Sequence, residues 1–167
     1  LLGFEVEQRL LIRGPDSLTG CSILVVASPQ TAFHDMEKAV LKNYLENSGR
    51  VLFLLEPDVT SGLEDLLSEY GVSVGRSRVK DLESHYWADP STPAISNYPR
   101  HRVTRDLPLS FFPGAIELRP AQKPSNRRLR TDVLISTGLK SVLKGEEDSF
   151  GPRILGVITK DLDTEAV

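Results

Sequence analysis

Few residues in this chain combine a reactive type with a position that suits chemistry. The sequence has one cysteine and three histidines. A catalytic cysteine in an α/β fold follows a strand and precedes a helix, whose amino end stabilises the thiolate. Cys21 comes before an apolar segment instead. We therefore expect it at the opposite edge of the sheet, as a structural thiol, and the sequence predicts no catalytic residue.

The histidines do not suggest a metal site. They form neither an H-E-x-x-H nor an H-x-H motif, so a zinc ion would need ligands from separate loops. His34 is predicted to cap a helix, because Glu37 follows it at the capping-box distance. His85 lies in the aromatic segment 83–87, where packing over the core is favoured over lining a pocket. No metal and no cofactor are predicted.

The candidates for binding are polar residues that directly follow apolar segments. Ser28 follows the first such segment, Glu56 and Asp58 follow the second, and Ser136 ends a later one. In a parallel sheet these positions meet at the carboxyl edge, where ligands bind. Glu56 and Asp58 could hold a cation or a sugar, although a turn around Pro57 explains them equally well. For Ser136, strand-end capping is favoured over ligand contact.

These residues would be positioned by an apolar segment, an amphipathic helix and a second apolar segment, at 23–27, 35–48 and 51–55. The helix has apolar residues at helical spacing, namely Phe33, Met36, Val40, Leu41, Tyr44 and Leu45. Gly49 is predicted to end it in the left-handed conformation. Two apolar segments joined by a helical crossover predict neighbouring parallel strands, buried on both faces.

The remaining segments complete an α/β pattern. Ser61 and Glu64 form a capping box that begins a second, short helix, which Gly71 ends. Strands are predicted at 72–74, 78–81, 132–137 and 153–159, and the prolines between 82 and 131 indicate irregular connections and edge strands. The predicted fold is a three-layer α/β sandwich with a mostly parallel central sheet, in a single domain over residues 1–167.

Composition excludes several functional classes. A chain of 167 residues with a net charge of -3 has no general affinity for polyanions. Arg127, Arg128 and Arg130 form an exposed basic loop without interleaved aromatic residues, which is a poor nucleic-acid footprint. Docking of an acidic partner or lipid head groups there is the weaker alternative. Both ends of the sequence look cut, so we expect an excised soluble piece of a longer protein.

Several segments, in order along the chain, resemble one protein family. They include 23–29, 44–57 and 62–75. Tyr98 and the segment 101–104 resemble a tyrosine and an H-P-[IV]-T motif, with Arg102 in place of the usual proline, and 112–115 matches another short motif. The family is the auxiliary domain of ABC-type transport systems, including the gliding-motility-associated auxiliary components. The chain is also similar to the GIFT domains of intraflagellar transport proteins.

The resemblance implies a flavodoxin-like fold related to class I glutamine amidotransferases, without their catalytic residues. It also implies a membrane-tethered bacterial domain on the extracytoplasmic (periplasmic) side of the inner membrane. The implied partners are membrane subunits of an ABC transporter or other envelope proteins, with a glycan as a further ligand and no nucleic acid. For His101, a backbone hydrogen bond that holds its loop is favoured over contact with a ligand.

Two functions are compatible with these observations. The first is a non-enzymatic interaction or ligand-sensing domain whose working surface is the carboxyl edge, with the segment 82–106 nearby. The alternative is a hydrolase of a sugar or amide in the cell envelope, acting through Asp58, His85 or His101. The hydrolase requires two of these side chains to converge on one substrate atom or water in a pocket.

Overall fold

The computed structural model describes residues 3–121 and 128–163. Two 3-10 turns, at Leu11–Arg13 and Pro15–Leu18, precede the helices α1, Asp35–Glu46, and α2, Glu64–Glu69. The strands are β1 (Leu24–Ala27), β2 (Val51–Leu54), β3 (Val72–Asp81), β4 (His85–Tyr86), β5 (Asp89–Ile95), β6 (Ser110–Phe111), β7 (Ile116–Pro120), β8 (Leu129–Ser136), β9 (Ser141–Leu143) and β10 (Ile154–Asp161).

The unit β1–α1–β2 forms as predicted. Strands β1 and β2 pair in parallel, with Ala27 opposite Leu54 at their carboxyl ends. A parallel pair needs a crossover of about a dozen residues, and α1, with 12 residues, supplies it. Val40 and Leu41 on α1 pack against Val26 of β1 in the main hydrophobic core. The 3.6-residue spacing of the apolar side chains explains why this face of the helix is the buried one.

Helix α1 ends two residues earlier than predicted, and the left-handed residue after it lies one position earlier. Ser48, and not Gly49, has a left-handed backbone, with φ of 64°. The Gly49 amide donates to the Tyr44 carbonyl at 2.9 Å. A Cβ at position 49 would collide with the ring and the carbonyl of Tyr44. Glycine is therefore needed for close approach to the helix and not for its φ.

The prediction that β1 and β2 are buried on both faces is wrong. Val26 is buried under α1, whereas Val25, Leu52 and Leu54 on the other face are about half exposed. A run of consecutive apolar residues makes both faces of a strand suitable for burial. It does not determine whether a second layer covers the other face, and here α1 covers one face alone within the described residues.

The predicted three-layer sandwich of flavodoxin-like or class I glutamine amidotransferase-like type is also wrong. The structure is 35% strand and 16% helix, with small antiparallel sheets. Apart from β1–β2, the strand pairs of the described residues are antiparallel. The reason lies in the segments that connect the strands, since parallel strands usually need a helical crossover. After α1 the next helix, α2, has six residues and leads into β3, which joins a different sheet. The proline-rich stretch forms β4 to β7 instead of crossover helices.

Three antiparallel sheets complete the described fold. Strand β3 lies between β7 and β9, strand β5 lies between β4 and β6, and β8 pairs with β10. Two short strands were predicted over 72–81, but β3 is continuous there because its first part pairs with β7 and its last part with β9. The strands predicted at 132–137 and 153–159 correspond to β8 and β10, whose pairing contains a bulge near Gly156.

A buried ion pair joins β7 to the start of β10. Arg153 Nη1 lies 3.1 Å from Glu117 Oε1, and the two side chains are 13% and 11% exposed. Arg119 Nε lies 2.7 Å from the other oxygen, Glu117 Oε2. A carboxylate in such a position is tolerated only when it is paired and hydrogen-bonded. Both oxygens of Glu117 meet that condition.

Asp81, at the end of β3, is a second buried carboxylate with a different role. Its side chain is fully buried. Oδ1 accepts the amides of Glu83 and Ser84 at 3.0 and 2.9 Å, and Oδ2 accepts the Gly138 amide at 3.4 Å. Asp81 therefore fixes the turn into β4 and connects it to the turn that follows β8.

The ion pair of Glu117 gives a matched test of burial. Arg153→Ala leaves Glu117 buried without its inward partner, so we expect the free energy of unfolding to fall by about 3 kcal/mol. Arg119→Ala removes the partner whose side chain is 62% exposed, and we expect a loss below about 1 kcal/mol. Urea denaturation of both variants measures the difference. Equal losses in the free energy of unfolding would show that Arg153 contributes no more to stability than the exposed Arg119.

Candidate functional site

The turns that follow β1 and β2 lie side by side because the two strands are parallel and in register. The Ser28 amide donates to the Leu54 carbonyl at 2.8 Å. Ser28 and Asp58 both have left-handed backbones, with φ of 46° and 65°. Non-glycine residues rarely adopt this conformation, and they do so where the surrounding structure imposes it. The carboxyl edge is therefore a tightly constrained part of the chain.

A cleft of about 270 Å³ opens at this edge, between the turn after β2 and the strands β3 and β7. Its polar lining comprises Glu56, Asp58, Thr60, Ser61, Glu64 and Arg76, and its other lining residues are Pro29, Leu55, Pro57, Val59, Val74, Gly75 and Ile116. The cleft thus combines an apolar floor with charged groups of both signs. That combination is typical of small binding sites.

Two of the carboxylates at the cleft already have partners within the chain. Asp58 Oδ2 lies 2.7 Å from Arg78 Nη2, and the two side chains are 72% and 41% exposed. Glu64 Oε1 accepts the amide and the hydroxyl of Ser61 at 3.1 and 3.3 Å, which is one half of the predicted capping box; the Ser61 hydroxyl oxygen accepts the Leu63 amide and not that of Glu64. Glu56 and Arg76 are exposed on the rim. The carboxyl edge is consequently a mixed-charge surface with an exposed, exchangeable ion pair.

The structure brings some of the predicted contact residues together and leaves others apart. Glu56 and Asp58 line the cleft, and Ser28 precedes its lining residue Pro29. Ser136 lies elsewhere, at the end of β8 opposite Ile154. Nothing in the segment 82–106, which is wholly within the described residues, lines the cleft. The predicted working surface is therefore confined to the exit turns of β1 and β2.

His101 holds a tight turn. Its Nδ1 accepts the Val103 amide at 3.1 Å, and its carbonyl accepts the amides of Thr104 and Arg105 at 3.1 and 2.9 Å. Thr104 is buried, and its hydroxyl donates to the Pro99 carbonyl at 3.0 Å. The backbone hydrogen bond expected for this imidazole is present, despite the arginine at position 102.

The side chains that a hydrolase would need do not share a pocket. His85 Nδ1 lies 2.8 Å from the Asp81 carbonyl, so this nitrogen carries the proton and donates it within the fold. Asp58 lines the cleft, whereas His85 and His101 are not among its lining residues. The described geometry therefore gives Asp58 neither histidine as a catalytic partner.

Cys21 lies away from the carboxyl edge. It is half-buried and packs against the main core. Its carbonyl accepts the Tyr44 hydroxyl at 3.0 Å, and burial raises the pKa of that hydroxyl.

Across residues 3–121 and 128–163, no three or more histidine, cysteine, aspartate or glutamate side chains are grouped as metal ligands would be. The helices of that part of the chain are also too short or too polar to cross a bilayer.

Two arginines of the candidate site were missed from the sequence. Arg78 binds Asp58 across 20 positions of the chain, and Arg76 lines the cleft beside it. Arg76 and Arg78 lie two residues apart after Gly75, and this spacing could have indicated that they share one face of β3.

The basic loop predicted around 127–130 lies partly outside the described residues. Within them, Arg128 binds Asp161 and Asp163 at 3.0 and 2.8 Å.

Comparison with known sequences adds an identification to this geometry. The sequence model of a family described as an ABC-type uncharacterized transport system matches residues 3–154. The chain belongs to this family. The predicted auxiliary domain of ABC-type transport systems is thereby confirmed. No curated protein gives a significant match to this family member.

Comparison with solved structures concerns the fold alone. The chain is similar to the mmIFT52 N-terminal domain, with a TM-score of 0.62 and 22% sequence identity. The match covers 83% of this chain and 66% of that one, so the chain spans just under two thirds of its structural neighbour. This likeness is not to a flavodoxin-like fold, in agreement with the correction above. The likeness to gliding-motility components and to GIFT domains stays a prediction.

The cleft wall gives a test that does not require a ligand. A Cβ at Gly75 would lie 2.8 Å from the Glu117 carbonyl oxygen, a backbone atom that cannot move without displacing β7. We expect Gly75→Ala to lower the free energy of unfolding by about 2 kcal/mol, as overpacking does. Gly151→Ala is the matched control, because a Cβ there has no atom within 4 Å. Thermal and urea unfolding of both variants measure the effect, and a stable Gly75→Ala protein would contradict it.

Proposed function

We propose that this chain is a non-catalytic interaction or ligand-sensing domain of an auxiliary component of an ABC-type transport system. The observation that carries the proposal is the mixed-charge cleft at the carboxyl edge, together with membership of the transport family. The cleft presents carboxylates and the guanidinium group of Arg76, and its described lining residues include neither histidine nor cysteine. This set of groups supports recognition of a charged partner.

The exposed pair of Asp58 and Arg78 supports exchange with a partner. Ion pairs in solvent contribute about 0–1 kcal/mol. A charged side chain of a partner can therefore replace one member of the pair at little cost in free energy. Docking would also remove the new ion pair from water. The volume of about 270 Å³ suits an inserted side chain or one small group. We propose membrane subunits of the transporter or other envelope proteins as the partners, with a glycan as a further ligand.

The proposal includes a location. On the sequence resemblance, we assign the chain to the extracytoplasmic side of the inner membrane, tethered through other parts of its protein. We further propose, on the same resemblance, a role like that of the gliding-motility-associated auxiliary components.

Capture of transport subunits tests this function. Asp58→Asn with Arg78→Gln removes both charges, and asparagine tolerates the left-handed backbone at position 58. We expect recovery of transporter subunits from detergent-solubilised membranes to fall about tenfold, which corresponds to about 1.4 kcal/mol of binding free energy. The measurement is quantitative mass spectrometry of the captured complexes.

A matched control neutralises an equally exposed pair away from the cleft. Lys42 and Glu69 lie 2.6 Å apart, with side chains 45% and 54% exposed. Lys42→Gln with Glu69→Gln should leave capture unchanged, and both double variants should unfold as the parent protein does. If the cleft variant still captures the subunits, the cleft is not the partner surface. Failure of the parent to capture any transport subunit would contradict the proposed function itself.

A further inference from the structure

A second surface is formed around the turn that His101 holds. Arg100 and Arg102 are exposed there, and the Arg105 side chain is 69% exposed. The hydrogen bonds of His101 and Thr104 fix the backbone of this turn. Three guanidinium groups are therefore presented to solvent from a well-defined scaffold.

The charge of this turn is opposite to that of the whole chain. The chain has a net charge of -3. The acidic residue next to the three arginines is Asp106, which binds Arg105 Nε at 3.0 Å. With three arginines and one aspartate, the segment 100–106 has a net charge of +2. A local positive surface on an acidic protein favours an anionic partner at this place.

Apolar side chains are interleaved with these arginines. Val103 is 56% exposed within the turn, and Leu107 and Leu109 are 43% and 55% exposed directly after it. Single exposed apolar residues are ordinary on a protein surface. Three within seven positions, next to a set of arginines, form an amphipathic segment.

Aromatic side chains continue this surface onto the β4–β5 hairpin. The Phe111 ring lies 4.9 Å from the Tyr86 ring, edge to face. Trp87, at the hairpin tip, is 90% exposed with φ of 50°. The neighbouring Asp89 is exposed, and the hydroxyl of Thr92 at 2.6 Å lowers its pKa and so keeps this carboxylate ionised. The hairpin thus presents its rings together with one negative charge, which is outnumbered by the three arginines of the turn.

We propose that this basic–aromatic surface, formed by the segment 100–111 with Tyr86 and Trp87, binds the face of an anionic phospholipid bilayer. The arginines would contact lipid phosphates, while the apolar and aromatic side chains enter the boundary between head groups and acyl chains. Tryptophan and tyrosine are enriched at that boundary. The inference does not depend on partner binding at the carboxyl-edge cleft.

A second copy of the chain is a poorer occupant than a membrane. A two-fold symmetric contact places the same patch on both subunits, so the arginines of the turn would face each other. An acidic protein would need separate pockets for the exposed Val103 and Trp87. A lipid surface deforms around both side chains, and its negative charge is distributed over a large area.

The chain contains its own reporter for this surface, because Trp87 is its single tryptophan. Vesicles of pure phosphatidylcholine are compared with vesicles in which part of it is replaced by phosphatidylglycerol. We expect cosedimentation with the anionic vesicles only, a blue shift of Trp87 emission, and reduced quenching by acrylamide. Arg100→Ala with Arg102→Ala should weaken binding about 25-fold, which is about fivefold for each arginine.

The matched control is Arg13→Ala with Lys144→Ala, which removes two exposed cations outside the surface. It should bind anionic vesicles within about twofold of the parent, and both double variants should keep the parent circular dichroism spectrum. Equal binding by the two variants, or equal binding to both vesicle types, would overturn the proposal. So would an emission shift that appears with protein concentration alone, which would indicate self-association, or with polyglutamate but not with vesicles, which would indicate an acidic protein partner.

Discussion

The burial of the Glu117 carboxylate is the constraint on which the two main sheets and the candidate cleft depend. A buried charge is tolerated only with partners, so Arg153 must reach it from the start of β10 and Arg119 from its own strand. The pairing of β7 with β3 brings the Glu117 carbonyl so close to β3 that only Gly75 fits opposite. Gly75 and Ile116 both line the cleft. The residue that holds the buried ion pair therefore also shapes the cleft wall through its backbone.

The sequence predicts this fold well where the causes are local. The parallel pair β1–β2 follows from two apolar segments and an amphipathic crossover, all within 32 residues of one another. The parallel register then brings Glu56 and Asp58 to one edge, as expected. The capping box of Ser61 and Glu64 and the backbone hydrogen bond of His101 are similarly local, since each spans only two or three residues.

The parts that were missed depend on distant partners. Arg153 pairs with Glu117 across 36 positions, and nothing in a single sequence assigns that arginine to that carboxylate. The fold class failed for a related reason. Apolar strands such as 132–137 have the composition of parallel core strands, yet β8 and β10 are joined through β9 without a crossover helix and pair antiparallel. The segment that connects two strands determines whether they pair in parallel or antiparallel, whereas the prediction used only the composition of the strands.

Non-glycine residues with a left-handed backbone mark turns of the described fold. Within 3–121 and 128–163, the non-glycine residues with positive φ are Ser28, Ser48, Asp58 and Trp87. A left-handed backbone costs a non-glycine residue about 1–2 kcal/mol, and glycine would avoid that cost. Ser48 follows α1 and its capping residue Asn47, and Ser28 bonds across the carboxyl edge. Asp58 tolerates the conformation and binds Arg78. Trp87 is the first residue of the two-residue turn between the paired Tyr86 and Asp89, where hairpin turns favour positive φ. The turn accounts for this backbone, whereas the Trp87 side chain is 90% exposed. The exposed ring, and not backbone strain, therefore supports placing the hairpin tip in the proposed membrane-binding surface.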